Sequence, residues 1–256
     1  MPVSRPEIIR EEAEWLAVNK PAGWLSVPDR FDPQQPHLYG WLKQRYPELF
    51  IVHRLDKDTS GVMLFARSGR AHHLLCQQFA SRRVYKVYLG IVEGRVNFQE
   101  ITLDISISPD LRTAGKMRID NSGRQAITHL RVKELFARHS FLEIIPATGR
   151  THQIRVHLQH VGFPLVADPV YGTGRPLMAS ALHRHFRHKA EEKPLLARTA
   201  LHAAVIEFTD PEGEKQRIEA PLPKDMKAAL YQLRKSTCIV PGKKQTRPTH
   251  DAGQVR

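Results

Sequence analysis

The sequence predicts a single α+β domain built around a mixed, largely antiparallel sheet with flanking helices. Three observations predict it. Runs with strand character outnumber helical ones, the two types do not alternate strictly, and 256 residues with 41% apolar content suffice for a large core. The expected division is a domain over residues 1–235 and a basic, flexible tail over 236–256.

Trp15 to Asn19 (WLAVN) reads as a short strand, stopped by Lys20-Pro-Ala-Gly23. Residues 37–46 (HLYGWLKQRY) read as a short helix. Residues 51–55 (IVHRL) and 62–66 (VMLFA) read as strands flanking an acidic turn. Ser68 is placed to cap a helix running to about residue 81, with Ala71, Leu74, Leu75, Cys76 and Phe79 as its apolar face. Residues 84–92 (VYKVYLGIV) form a strong strand pattern. Tyr85, Val87, Leu89 and Ile91 share the expected core face, and Lys86, Tyr88 and Gly90 share the other, with the small Gly90 leaving space beside Tyr88. A hairpin turn is expected at Asn121-Ser-Gly123, followed by strands near 128–136 and 140–146. In 151–162 (THQIRVHLQHVG), Thr151 is the expected N-cap, Ile154, Leu158 and Val161 repeat at helical spacing, and Gly162 ends the helix. A last strand is expected near 201–208.

Lys plus Arg is 39 against 26 for Asp plus Glu, a formal net charge of +13. Such an excess favours a polyanionic partner, because neutralised phosphates release counterions. The two cysteines, Cys76 and Cys238, lie far apart and outside any CxxC, which suits a reducing, cytoplasmic compartment and offers no disulfide framework or cysteine metal site. The start of the chain carries four acids within residues 7–14 and no apolar run, unlike a signal peptide. No stretch approaches the roughly 18 apolar residues of a membrane span. Residues 175–198, with six Lys/Arg and three His, and residues 236–256 read as solvated basic surface.

The stretch His53 to Gly61, HRLDKDTSG, carries the chemistry. A calcium loop would place a bidentate Glu at its twelfth position, where Arg67 stands, so calcium is excluded. Asp56-Lys-Asp58 is similar to the DxD of magnesium-dependent aspartyl phosphatases, but that chemistry wants a buried apolar strand before the first Asp, and His53 and Arg54 interrupt the run. The third reading is a single catalytic aspartate, Asp56, with Arg54 and His53 beside it.

VHRLDKDTSGVMLFA resembles the signature of RluA-type RNA pseudouridine synthases, HRLD followed by TSG. RVYKVYLGIVEG (83–94) resembles the family's KxYxAxVxG strand, with Gly90 where the family has Ala. ATGRTHQIRVHLQHVGFPLVADPVYG (147–172) resembles its third block. VNKPAGWLSVP (18–28) and the segments at 201–223 also match, so the resemblance spans roughly residues 8–225.

The resemblance implies the pseudouridine synthase fold with a central RNA-binding cleft. It implies isomerisation of specific uridines in structured ribosomal RNA or tRNA, by base flipping and with neither cofactor nor metal. Asp56 would be the catalytic carboxylate, attacking C1′ or taking a proton from C2′. Arg155 would be the cation beside it. The helix pattern permits this, since His152, Arg155 and Gln159 fall on a stripe apart from Ile154, Leu158 and Val161. Tyr88 would stack on the uracil and assist proton removal from C5. Arg54, His53, Arg150 and His152 are the expected RNA contacts. Many family members carry an S4 RNA-binding domain before the catalytic one. About fifteen residues precede the first strand here, so recognition is expected from the catalytic domain itself, with the basic segments 175–198 and 236–256 as further candidates. A monomer without an obligate protein partner is expected. A non-catalytic RNA-binding module is the competing reading.

Overall fold

In the computed structural model, residues 5–29, 32, 34–183 and 191–237 are described. The elements are β1 (Glu7–Glu11), β2 (Trp15–Lys20), α1 (Leu38–Lys43), β3 (Phe50–Ile51), β4 (Ser60–Ala66), α2 (Gly69–Ala80), β5 (Tyr85–Glu93), β6 (Glu100–Asp104), β7 (Ile107–Pro109), β8 (Met117–Ile119), β9 (Ile127–Leu135), β10 (His139–Pro146), α3 (Gln153–His160), β11 (Leu201–Thr209), β12 (Lys215–Glu219) and α4 (Lys224–Thr237). Ten of these strands form one sheet in the order β1-β2-β4-β11-β5-β10-β9-β6, with β12 on β11 and β3 on β4. The expected mixed, largely antiparallel α+β architecture is present.

Strand composition explains the centre of the sheet. Every residue of β4 is buried, as its unbroken apolar run requires for a strand covered on both faces. Side chains on β5 alternate as expected, but both faces are covered. Leu89 and Ile91 pack with Met226, Ala229, Leu230 and Leu233 of α4. Tyr88 and Val92 pack with Ile154 and Leu158 of α3. Tyr85, expected in the core, is 42% exposed at the strand's start. Gly90 leaves no open space beside Tyr88, because a Cβ there would meet Ile144 and Leu165 at 2.9 and 3.0 Å. Its missing side chain is already filled by its neighbours.

Ser68 caps α2 as expected, its Oγ accepting from Ala71 N–H at 3.1 Å. Thr151 does not cap α3. The N-cap is His152, in left-handed backbone at φ 53° with no side-chain cap bond. Gln153 instead ties the loop before the helix, its Oε1 accepting from Arg150 N–H (3.0 Å) and Thr148 Oγ1 (2.7 Å). The expected strand 51–55 shrinks to Phe50–Ile51, and residues 52–59 become the loop that presents Asp56. The turn at Asn121–Gly123 exists, closed by Gly123 N–H on Asp120 O, but β8 pairs with β7 rather than β9.

Residues 175–198 are not uniformly solvated. Leu177 and Leu196 are buried and bridged, and Arg198 reaches Asp225 with two hydrogen bonds of 2.8 and 3.0 Å. Residues 184–190, with most of the histidine cluster, lie outside the described residues. The boundary expected after residue 235 falls in the last turn of α4, and the tail from 238 onward, with Cys238, also lies outside them.

One seam sets the position of the site. β4 and β11 pair in parallel through His202↔Ser60 and Ala203↔Gly61 only. Gly61 has φ 120°, and a Cβ there would sit 2.1 Å from Ala203 O. Only glycine permits this backbone approach. Ser60 Oγ beside it donates to His202 Nδ1 at 2.9 Å, since His202 Nε2 is spent as donor to Ala220 O. The Gly61→Ala variant is expected to lose about 3 kcal/mol or more of stability. Urea unfolding measures it, and a midpoint equal to that of the parent would refute the close-approach argument.

Candidate active site

The loop carrying Asp56 is held by its backbone. Ser26 Oγ donates to Leu55 O (2.7 Å) and accepts from Leu55 N–H (3.0 Å). Thr59 N–H closes the turn on Asp56 O at 3.1 Å. Lys20 is wholly buried beneath the loop, and its Nζ donates to Trp24 O, Lys57 O and Pro21 O at 2.7, 3.0 and 3.1 Å. Burial pushes Lys20 down to about 7, against the pull of Asp58 and Asp56. Arg198 Nη1 adds a bond to Asp58 O at 3.1 Å. The segment 18–28 therefore serves the site as a clamp.

Arg155 reaches Asp56 from α3. Its Nη1 donates to Asp56 Oδ2 at 3.2 Å. Its Nε and Nη2 make a bidentate pair with Asp168 at 2.7 and 2.8 Å. Asp168 is 0% exposed and also accepts from Val170 N–H (2.9 Å) and Tyr171 N–H (3.0 Å). Burial pushes the Asp168 carboxyl up, but the Arg155 bonds and charge and the two backbone donors hold it below the usual carboxylate range. Arg155 is desolvated too, yet Asp168 and Asp56 raise it further above the usual guanidinium value.

The cavity at this point is about 140 Å³ and is lined by Asp56, Arg54, Lys86, Tyr88, Arg150, His152 and Arg155, among others. Asp56 is its one acid, facing four Lys/Arg side chains. A second cavity, lined from Leu25 to Asp29, shares Arg54, Leu55 and Asp56 with the first. The carboxylate thus stands where two depressions meet.

Six of the seven residues singled out from the sequence therefore line one cavity. His53 does not. Its Nε2 accepts from Leu64 N–H at 2.9 Å and its ring stacks on Phe79 at 4.7 Å. Burial, with the nearby Lys86 charge, lowers it to about 3, so it is a neutral fold-holding ring rather than a contact for RNA. Arg54 is exposed and makes no hydrogen bond or ion pair among the described residues, so it is free to meet a ligand. Arg150 Nε donates to Gln125 O at 3.2 Å, and burial with Arg124 and Arg82 lowers its pKa. Burial and then the Asp56 charge raise Tyr88, which keeps the phenol protonated. That state suits stacking and hydrogen-bond donation and opposes action as a phenolate base.

Four residues of the site escaped sequence reasoning: Asp168, Tyr171, Lys86 and Lys20. Lys86 shares its strand face with Tyr88, and burial lowers it to about 8. Asp168 and Tyr171 sit in the quoted VADPVYG. The one available signal was that a buried arginine needs an acid, and nothing local to 151–162 supplies one. Asp58 lines neither cavity, and Asp56 follows an antiparallel strand, so the phosphatase reading lacks both its paired acid and its parallel strand.

A sequence profile described as RNA pseudouridylate synthase matches residues 14–160. The chain is 41% identical over 224 residues to an "Uncharacterized RNA pseudouridine synthase" of Chloroflexus aurantiacus, covering 84% of this chain and 65% of that protein. It is 38% identical to "Ribosomal large subunit pseudouridine synthase D" of Xanthomonas campestris, covering 90% and 70%. The chain thus spans about two thirds of the length of these two relatives. It is 35% identical to "Dual-specificity RNA pseudouridine synthase RluA" of Vibrio vulnificus, covering 81% and 79%. Among solved structures it resembles Human RNA Pseudouridylate Synthase Domain Containing 4, with TM-score 0.70 and 25% identity over 89% of this chain and 92% of that one. Human RNA Pseudouridylate Synthase Domain Containing 1 gives TM-score 0.68 and 28% identity over 95% and 100%.

The Asp168→Asn variant tests the buried pair. Removing one partner's charge leaves Arg155 under-compensated, with an expected loss of about 3–5 kcal/mol. Denaturant unfolding at neutral pH reads the loss, and an unchanged midpoint would contradict the pairing.

Proposed function

The chain belongs to the RNA pseudouridylate synthase family, and from that premise we propose that it isomerises specific uridines to pseudouridine in structured RNA, ribosomal RNA or tRNA or both, with Asp56 as the catalytic carboxylate. The observation that carries the reading is the Asp56 carboxylate held on one oxygen by Arg155, in a cavity that Arg54, Lys86 and Arg150 also line and in which it is the one acid. A cationic cavity attracts a phosphodiester chain, and its single carboxylate is left for the sugar.

The reaction breaks N1–C1′ and forms C5–C1′. Nothing is gained or lost overall: the C5 proton leaves and N1 regains a proton. The ionised carboxylate either attacks C1′ or removes the C2′ proton. Arg155 Nη1 occupies one oxygen of the carboxylate at 3.2 Å and orients it in the cavity. A uridine inside a helix cannot reach Asp56, so it must turn out of its stack. Tyr88, protonated and half-buried beside Asp56, offers a face for the extruded base. Arg54 and Arg150, which also line the cavity, suit the flanking phosphates. We assign this work to residues 1–235, acting as a monomer in the cytoplasm.

Pseudouridine mapping by carbodiimide-dependent primer-extension stops tests it, using tRNA and ribosomal RNA from cells lacking the protein, with EDTA present. Purified protein is expected to add stops at one or a few uridines. The Asp56→Asn variant is expected to bind the same RNA and lose about 10³-fold or more of the rate. Normal turnover by that variant would remove Asp56 from its role, and binding without any new stops would favour a non-catalytic module.

A further inference from the structure

The two protein groups that approach Asp56 meet the same oxygen. Arg155 Nη1 lies 3.2 Å and His152 Nε2 3.7 Å from Oδ2, whereas Oδ1 has no hydrogen-bond partner among the described residues. Tyr171 touches both groups. Its ring faces the Arg155 guanidinium at 5.1 Å, and its hydroxyl stands 3.0 Å from His152 Nδ1, with the two rings edge to face. The residue is 2% exposed and does not line the cavity, so it acts only through its neighbours.

Counting donors selects a histidine tautomer. Met117 N–H in β8 donates to the Tyr171 hydroxyl oxygen at 2.7 Å. The phenol has one O–H, and His152 Nδ1 is its one acceptor among the described residues. Using it places the imidazole proton on Nε2, facing Asp56. The other tautomer would donate from Nδ1 and strand a buried O–H, which is costly. His152 is further constrained by its left-handed backbone at φ 53°.

We propose that Tyr171 is a positioning residue for the isomerase reaction. It sets the His152 tautomer and braces Arg155, commits Asp56 Oδ2 to the protein, and leaves Oδ1 as the reacting oxygen. Through Met117 the same hydroxyl ties the hairpin β7–β8 to this arrangement. The proposal rests on the reading of the site as a uridine isomerase.

The groups acting on His152 set the sign of a pH test. Burial, Arg155 and Arg54 favour the neutral ring, Asp56 and Asp168 favour the charged one, and burial prevails. Lys116 lies over the Tyr171 ring at 5.7 Å. An O–H donating to Nδ1 exists only for the neutral ring, so removing it raises the pKa of His152. Protonation would then set a second full cation on Oδ2 and weaken the carboxylate as nucleophile or base.

The first test is ¹⁵N NMR of the histidine rings in the wild-type protein, with His152 assigned by its loss in His152→Gln. The expected state at neutral pH is the neutral Nε2–H tautomer, and an Nδ1–H tautomer overturns the proposal without any Tyr171 variant. The second is Tyr171→Phe, which keeps the ring against Arg155. Expected are unchanged RNA affinity, a kcat lowered roughly 10-fold, and an acidic limb of the kcat profile moved to higher pH. Wild-type kcat with an unmoved limb overturns it. If the wild-type protein forms no pseudouridine on either RNA pool, the isomerase reading fails, and the NMR result still decides the tautomer.

Discussion

A charge removed from water must be matched, and the site is organised around one such match. Asp168 is fully buried and accepts from two nitrogens of Arg155 and two backbone N–H groups. These four bonds allow a carboxylate to stay ionised in the interior. They also fix the guanidinium plane, so that its third nitrogen has one place to point, toward Asp56. An arginine anchored in this way loses little freedom when substrate arrives, which is what a pre-organised electrostatic site requires. Two of the three non-glycine residues with positive φ among the described residues, His152 and Ala167, flank this pair.

The second half of the site is brought in by the sheet. β5 carries Tyr88 and Lys86, and β11 lies between it and β4, whose preceding loop carries Asp56. Pairing β11 in parallel to β4 over only two residues brings the loop close to the β5 face. The bare backbone of Gly61 makes that seam possible. Ser26, Lys20 and Arg198 then bind the carbonyls and N–H groups of residues 55–58, so the aspartate sits on a loop but not a loose one. The clamping residues are remote in sequence and close in space.

The basic composition acquires a location in this frame. One carboxylate faces Arg54, Lys86, Arg150 and Arg155 across a small cavity. Arg54 and the mutually repelling Arg150, Arg124 and Arg82 form a positive field, and none of the four makes an ion pair among the described residues. Such a field suits an incoming phosphodiester, whose charge would relieve the repulsion.

Much of this was legible in the chain. Strand runs such as 84–92 and 62–66, the Ser68 cap and the apolar register of 151–162 follow from local sterics and periodicity, which a sequence carries directly. The cluster HRLDKDTSG pointed to Asp56 because Arg67 and the interrupted run before Asp56 spoke against the calcium and phosphatase readings, and because the stretch resembles the HRLD…TSG signature. Only the tertiary structure decided the rest. His53 and Arg54 are neighbours in sequence, yet one is spent on Leu64 and Phe79 and the other faces the cavity, because the loop reverses its sides between them. Thr151 had the chemistry of a cap, but the left-handed turn at His152 made His152 the N-cap, with no side-chain cap bond. Asp168, Tyr171 and Lys20 matter through partners 13 to 37 positions away, or through backbone carbonyls. Local chemistry determined which segments form strands and helices and which residue types are reactive. The burial of charge, settled only when distant segments meet, decided which of those residues share a site.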